Sequence, residues 1–332
     1  MATDAKPGPE EAAHALASRD EAWEARYHRN GFLVIFALLA VAPAAVYPVF
    51  LMQALCFALF ACALNLLLGF GGLLSFGHAM FLGMAGYVSA HAAKHWGVTP
   101  EIAILAGTAT ATGLGLVAGL IAIRRQGIYF AMITLALAQM VYFFCLQAPF
   151  TGGEDGIQAV PRGALFGVLP LTQLPMYYTV LAIFAAGVFL IHRVIHSPFG
   201  QVLKAIRDNE ARAISLGYRT ERYKLVAFVM SAGLAGLAGA TKALVFQLAS
   251  LTDVHWGTSG QVVLMTLVGG LGTVFGPVVG AFVIVAMESY LSELGSWVTI
   301  VQGAIFVACV LAFRRGIVGE LEAWLRRRRH GR

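Results

Sequence analysis

Six stretches of this 332-residue chain contain no Asp, Glu, Lys or Arg: residues 30–93, 102–123, 126–153, 163–192, 254–287 and 294–313. A helix needs only about 20 apolar residues to cross a bilayer, so the first run alone has room for three crossings. In hydrocarbon an unpaired backbone amide costs several kcal/mol, which leaves helices or a closed barrel as spanning structures. These runs lack the two-residue alternation of a barrel strand, so helices remain. Composition agrees: 59% of the residues are hydrophobic and 12% charged, against roughly 25% charged in soluble proteins. The expected fold is an all-α, polytopic integral membrane protein with about eight to ten transmembrane helices.

Candidate spans lie near 31–50, 51–70, 78–94, 101–123, 128–148, 172–192, 223–247, 256–271, 274–292 and 297–313. With the N-terminus inside, 20 of the 23 Lys and Arg residues fall on the cytoplasmic side, and only Lys94, Arg162 and Lys242 fall elsewhere. That asymmetry orients the chain, with both termini cytoplasmic. The net charge of +6 therefore reflects membrane topology, and no nucleic-acid partner is expected. Residues 1–29 read as a polar cytoplasmic tail that resembles neither a signal nor a transit peptide, residues 30–315 as the transmembrane domain, and residues 316–332 as a basic cytoplasmic tail. The four cysteines, Cys56, Cys62, Cys145 and Cys309, are scattered in apolar runs without metal or redox spacing and read as small core residues.

Two glycine-rich stretches, "GFGGLLSFGH" (69–78) and "GGLGTVFGP" (269–277), carry no charge to fix their side. Each is expected to be a re-entrant loop, a broken helix or an ordinary turn. They also resemble one another: Gly71-Gly72 before Phe76-Gly77-His78 parallels Gly269-Gly270 before Phe275-Gly276-Pro277. Two related halves, as in many transporters, or chance similarity would each produce this. The triplet spacing of Gly233, Gly236 and Gly239, and the step from Gly115 to Gly119, predict closely packed helices.

The segment 197–224 breaks the apolar pattern with six Lys/Arg and three Asp/Glu. Ser197-Pro198 is a helix-start signal and Gly217 a stop. Between them Val202, Leu203, Ala205, Ile206, Ala213, Ile214 and Leu216 share one half of a helical wheel, with Glu210 among them. A helix lying on the bilayer, a solvated loop and a docking helix for a cytoplasmic partner all fit. In the last, Glu210 would pair with a donor on the partner.

Ionisable residues inside spans are functional candidates. Lys242 lies near the outer end of its span, where it can snorkel, and Glu288, beside Ser289, Ser292 and Glu293, suggests a wet helix end. No spaced array of acids or histidines crosses the spans, which counts against a proton- or sodium-driven carrier. No Gly-Lys dipeptide occurs, hence no phosphate-binding loop, and no metal or hydrolase motif is present. The chain is expected to be neither an enzyme nor a cofactor binder; energy would come from another subunit. "TGGEDG" (151–156) reads as an outer turn or an external contact, and His78 as a structural hydrogen-bonding residue or a ligand contact.

Taken in order, "GFGGLLSFGHAMFLGMAGY" (69–87), "RRQGIYFAMITLALAQ" (124–139), "TGGEDG", "SPFGQVLKAIRDNEARAISLG" (197–217), "YKLVAFVMSAGLAGLAGA" (223–240) and "LVGGLGTVFGPVVGA" (267–281) resemble the LivM-type permease subunits of bacterial branched-chain amino-acid ABC importers, a group that also includes urea and amide permeases. The likeness covers most of residues 50–315. It implies a bacterial inner-membrane protein that forms half of a translocation path with a homologous second permease subunit. Two cytoplasmic ATPase subunits and a periplasmic solute-binding protein would complete the assembly. Segment 197–217 would be the coupling helix, with Ile206, Arg207, Asp208, Glu210, Ala211 and Gly217 at the ATPase contact. The path would be lined by Gly71, Gly72, Ser75, Gly77, His78, Thr134, Gly269, Gly270 and Gly272, and Gly152, Gly153, Glu154 and Asp155 would face the binding protein. Two departures stand out: the Glu210-to-Gly217 spacing is one residue longer than the common form, and Leu73 stands where many relatives carry Gln. A stand-alone secondary transporter or channel for a small polar solute is the alternative.

Overall fold

A computed structural model describes residues 30–165, 167, 169–291, 297–312 and 315–330; the N-terminal tail 1–29 lies outside the described residues. Two compact units divide the chain after Tyr47. In the first, the apolar helix α1 (Asn30–Ala44) stacks Phe32 on Phe36 with ring centroids 6.1 Å apart.

The second unit is helical almost throughout: α2 (Pro48–Asn65), α3 (His78–His95), α4 (Pro100–Ala122), α5 (Ile128–Gln147), α6 (Gln173–Ile195), α7 (Pro198–Asp208), α8 (Glu210–Ser215), α9 (Thr220–Phe246), α10 (Trp256–Gly269), α11 (Gly276–Leu291), α12 (Trp297–Ala312) and α13 (Gly316–His330). Five helices among the described residues are long and apolar enough to cross a membrane: α2 with its extension to Phe70, α4, α5, α6 and α9. Of the others that match candidate spans, α3 has 18 residues but is less apolar, and the rest are short. At 1.5 Å per residue, α10 reaches only about 21 Å and α11 about 24 Å, against a hydrocarbon layer of roughly 30 Å.

Helix α2 is apolar all round, and from Leu51 to Asn65 nearly every side chain is buried, as a central helix must be. Around it pack α6, α9, α10 and α11, while α3, α4 and α9 form a tight trio. Small residues set that trio's spacing. A Cβ on Gly107 would lie 2.5 Å from the Ala85 carbonyl oxygen, and one on Gly239 would strike the Leu82 backbone. Gly236 and Gly115 meet Ala111 and Ala232 in the same way. With so little side chain between them, the helices gain dispersion contacts that lipid tails cannot match.

The glycine-rich stretches resolve differently. After Asn65 the helix widens into a π-turn, Leu66–Phe70, and residues 71–77 then run outside helix and sheet until α3 begins at His78. His78 sits beside Ser231, eleven residues or about 16 Å into α9. Helix α3 therefore starts within the bundle, as the second half of a broken crossing. Helix α10 also starts inside, because the Val254 backbone packs on Gly83 and Ser259 Oγ accepts the Ala79 amide at 2.8 Å. The second stretch is a turn between the short helices α10 and α11. One correction follows: segment 197–217 is two helices and not one. Residues 316–330 form α13, whose Gly316 and Val318 are buried against α10 and α11. Cys56, Cys62 and Cys145 are buried free thiols; the side chain of Cys309 lies outside the described residues.

Replacing Gly107 by Val should prise α4 from α3 and cost about 1–3 kcal/mol. Thermal unfolding in detergent at a lower temperature is the expected result; an unchanged midpoint would contradict the close approach.

Candidate functional site

The two glycine stretches lie against each other, and the residue that joins them, Asn65, was not singled out from the sequence. At the end of α2, its Nδ2 donates to the Thr273 carbonyl at 2.9 Å and its Oδ1 accepts from the Gly272 amide at 3.0 Å. The run 30–93 holds three amides, Asn30, Gln53 and Asn65, and the position of Asn65 just before the first glycine stretch was the available signal. Its neighbour Gly69 packs against Asn65 and the Gly272 amide. The Gly69 carbonyl in turn accepts from Arg207 Nη1 of α7 at 2.7 Å. Arg207 is oriented by Asp208, whose Oδ1 accepts from its Nε and Nη2 at 3.1 and 2.9 Å. Gly72 must be glycine on two counts: its φ is +70°, and a Cβ would come within 2.8 Å of Arg207 Cγ. Gly270 lies against Arg315 and Gly319. Thus α2, both glycine turns and α7 share one junction, with Arg207 and Asp208 binding α7 to this chain.

Helix α7 starts as its sequence predicts, with Pro198 in the first turn and Ser197 Oγ accepting the Gly200 amide at 3.4 Å. It ends at Asn209, whose extended backbone breaks the segment and whose side chain caps α8 through the Arg212 amide at 2.9 Å. Glu210 does not stand free for a partner. Its Oε2 pairs with Lys224 Nζ at 2.5 Å, on a lysine side chain only 5% exposed, at the base of α9. Ile206 is likewise turned inward, buried with Leu203 and Ala213. The expected apolar face therefore splits. Leu203, Ile206 and Ala213 hold the segment to its own chain, while Ile214 (56% exposed) and Leu216 (71%) point away, beside exposed Ala211 and Gly217.

Ser75, His78 and Thr134 are fully buried within the chain, and Gly71, Gly77, Gly269 and Gly270 are buried as well. This corrects the expectation that the whole of both stretches is open to a path. Ser231 Oγ donates to the Ala63 carbonyl at 2.5 Å, so at the 2.7 Å contact with His78 it is Nε2 that donates. The imidazole also lies edge-on to Phe81 and Phe228. Thr134 donates to Ala131 of its own helix, and its carbonyl abuts Gly77. Exposure alternates along 71–77: Leu73, Ser75 and Gly77 face in, while Gly72, Leu74 and Phe76 keep some surface. Gly272 is also partly exposed.

At the other end of α5, Pro149–Thr151 and Gly153–Asp155 form two short 3₁₀ turns joined by Gly152, with both Glu154 and Asp155 exposed. They lead into a two-residue strand, Ile157–Gln158, paired antiparallel with Leu248–Ala249 after α9. The three cations that depart from the charge asymmetry all have local partners here. Lys94 donates to the Gln158 carbonyl at 2.7 Å and Arg162 to the Val245 carbonyl at 2.8 Å. Lys242 forms an ion pair with Asp253 over the rings of Phe57 and Phe246, in place of the expected snorkelling.

A family model described as branched-chain amino acid transport system / permease component matches residues 48–310. The high-affinity branched-chain amino acid transport system permease protein LivM of Escherichia coli (strain K12) is 25% identical over 279 residues, covering 77% of this chain and 66% of that protein. LivM of Salmonella typhimurium (strain LT2) is 26% identical over 280 residues, with the same coverage. The autoinducer 2 import system permease protein LsrC of Klebsiella pneumoniae subsp. pneumoniae is 28% identical over 176 residues, half of this chain and 49% of that one. The chain thus spans just under two thirds of the length of the LivM proteins it matches. No solved structure matches it.

Breaking a buried ion pair from one side typically costs about 3–5 kcal/mol, so Glu210→Lys should free α8 from α9. Trypsin should then cut faster at Arg212 and Arg219, and adding Lys224→Glu should restore protection. Failure of the swapped pair to restore it would mean that Glu210 has a different partner.

Proposed function

The chain belongs to the permease-component family of branched-chain amino acid transport systems, and from that premise we propose that it forms half of the translocation path of an ATP-driven importer. In this reading the solute is a branched-chain amino acid or a related small polar molecule such as an amide. The α7–α8 end faces the cytoplasm, where Arg124, Arg125 and the cations from Lys204 to Lys224 lie, and the 149–158 end meets a solute-binding protein. A second permease subunit completes the path and two ATPase subunits engage α7–α8. The observation that carries this is the pair of exposed side chains Ile214 and Leu216, held outward on a short capped helix whose inner face is fixed by Glu210–Lys224. Apolar side chains so anchored offer a rigid knob for a partner's groove, and buried apolar anchors supply most of an interface's energy.

The mechanism follows from the junction. A push on α8 reaches Arg207 at the adjoining end of α7, and from there the carbonyl of Gly69 and the paired turns. The 71–77 segment connects those turns to the start of α3 inside the bundle, so displacement at the cytoplasmic surface is delivered at mid-depth. Non-helical backbone is a suitable moving part, because it has no helical hydrogen bonds to break.

The test is uptake of labelled leucine into vesicles holding the chain with its permease and ATPase partners, supplied with the binding protein. Ile214→Asp combined with Leu216→Asp should cut ATP-driven uptake roughly tenfold or more while leaving the chain in the membrane. Wild-type uptake by that variant would contradict docking at α8. Uptake without any ATPase present would instead support a stand-alone transporter.

A further inference from the structure

Helices α4 and α9 are both long and apolar enough to cross a membrane. They run antiparallel, with Gly115 against Ala232 and Gly119 against Leu225 and Phe228, so the end of α4 and the start of α9 meet at one level. Gly119 lets them touch there: a Cβ on it would lie 2.8 Å from Leu225 Cδ1 and 3.0 Å from Phe228 Cδ1. Beside that contact a groove of about 280 Å³ opens to the surface. Leu120, Ile123 and Leu225 make its apolar part, and Arg124, Arg222 and Glu221 make a charged rim. All three rim residues are exposed, as is Leu120. Among the described residues, neither guanidinium has an ion pair or a side-chain hydrogen bond. Lys224, one turn further along α9, is by contrast already paired with Glu210.

Position decides what fills such a groove. Both helices continue into the bilayer from here, so the apolar part faces hydrocarbon and the rim lies at the polar boundary. A guanidinium cannot shed its proton, and its planar fork matches phosphate oxygens two at a time. A single arginine at a helix end commonly extends into water with its stem along the apolar surface. Here two come from different helices to one groove, and Arg125, next in the chain after Arg124, is exposed as well. Against these three cations the rim holds one carboxylate, Glu221. The excess positive charge selects an anionic occupant over a zwitterionic one, as in other basic pockets between membrane-spanning helices. We propose that the α4–α9 groove binds one anionic phospholipid, with its phosphate between Arg124 and Arg222 and an acyl chain along Leu120 and Leu225. Phosphatidylglycerol suits this rim, because its glycerol hydroxyls can donate to Glu221 while its phosphate accepts from both arginines. The site goes beyond the transport reading and uses only the chain's place in a bilayer. Because Lys224 anchors Glu210, the lipid would lie beside the attachment of α8 to α9.

The experiment strips the complete assembly of lipid in mild detergent and titrates phosphatidylglycerol or phosphatidylethanolamine back, following bound lipid by native mass spectrometry. Wild-type protein should take up phosphatidylglycerol in preference. Arg124→Gln combined with Arg222→Gln should lower that affinity roughly tenfold or more, the loss expected for two cations at an anionic headgroup. Arg193→Gln, which removes an exposed charge from the end of α6, should leave it unchanged. Wild-type affinity in the double variant would overturn the site, and an equal loss in Arg193→Gln would mean that the attraction belongs to the whole basic surface. The wild-type assembly gives a second readout, which stands even if the double variant does not assemble. Its thermal unfolding should move up by a few degrees with phosphatidylglycerol and stay in place with phosphatidylethanolamine or inorganic phosphate. No shift with phosphatidylglycerol, or an equal one with phosphatidylethanolamine, would overturn the proposal. A shift with inorganic phosphate would put a free anion there in place of a lipid and overturn it too.

Discussion

A single buried amide, Asn65, satisfies two backbone groups of the second glycine turn. Its donor meets the Thr273 carbonyl and its acceptor meets the Gly272 amide, two hundred residues away in sequence. Inside a membrane protein an amide left unpaired costs several kcal/mol, so this pairing fixes the register of the second glycine turn on the end of α2. Arg207 then adds α7 by the same logic, offering its guanidinium to the Gly69 carbonyl. The helical bridge α7–α8 is thus fastened to the point where the helices are interrupted.

That arrangement explains why the interruptions are tolerated. A π-turn followed by extended chain forfeits several helical hydrogen bonds, and the deficit is limited because side chains stand in: Ser75 Oγ for the Gly77 amide and Ser259 Oγ for the Ala79 amide. Ser231 and His78 close the same region from α9. The 149–158 end is stabilised separately, by cations on carbonyls and by the Lys242–Asp253 pair. The bundle therefore has two braced ends and, between them, a layer held by small residues and a few hydroxyls. A bistable element of a transporter is best placed in such a layer.

Much of the fold was legible in the sequence, because charge-free runs leave little choice but helices and the triplet glycines of α9 leave little choice but close packing. The cap at Ser197 and the stop at Gly217 also follow from local chemistry. What escaped was tertiary pairing. Asn209 breaks the bridge because its side chain caps α8, and nothing in helical periodicity marks that residue above its neighbours. Glu210 looked like a group awaiting a partner until α9 brought Lys224 beside it. The buried state of Ser75, His78 and Thr134 could not be read from a motif, since polar residues next to glycine look alike whether they face water or a neighbouring helix.

The central claim is that α7 and the paired glycine turns move as one body. Pulsed spin-label distance measurements in the complete assembly test it directly, with labels at exposed Ala205 on α7, exposed Leu271 in the second turn and exposed Glu154 at the opposite end. Between the nucleotide-free and ATP-bound states, the 205–271 distance should stay fixed while the 205–154 distance shifts. A 205–271 distance that changes with nucleotide would contradict the account.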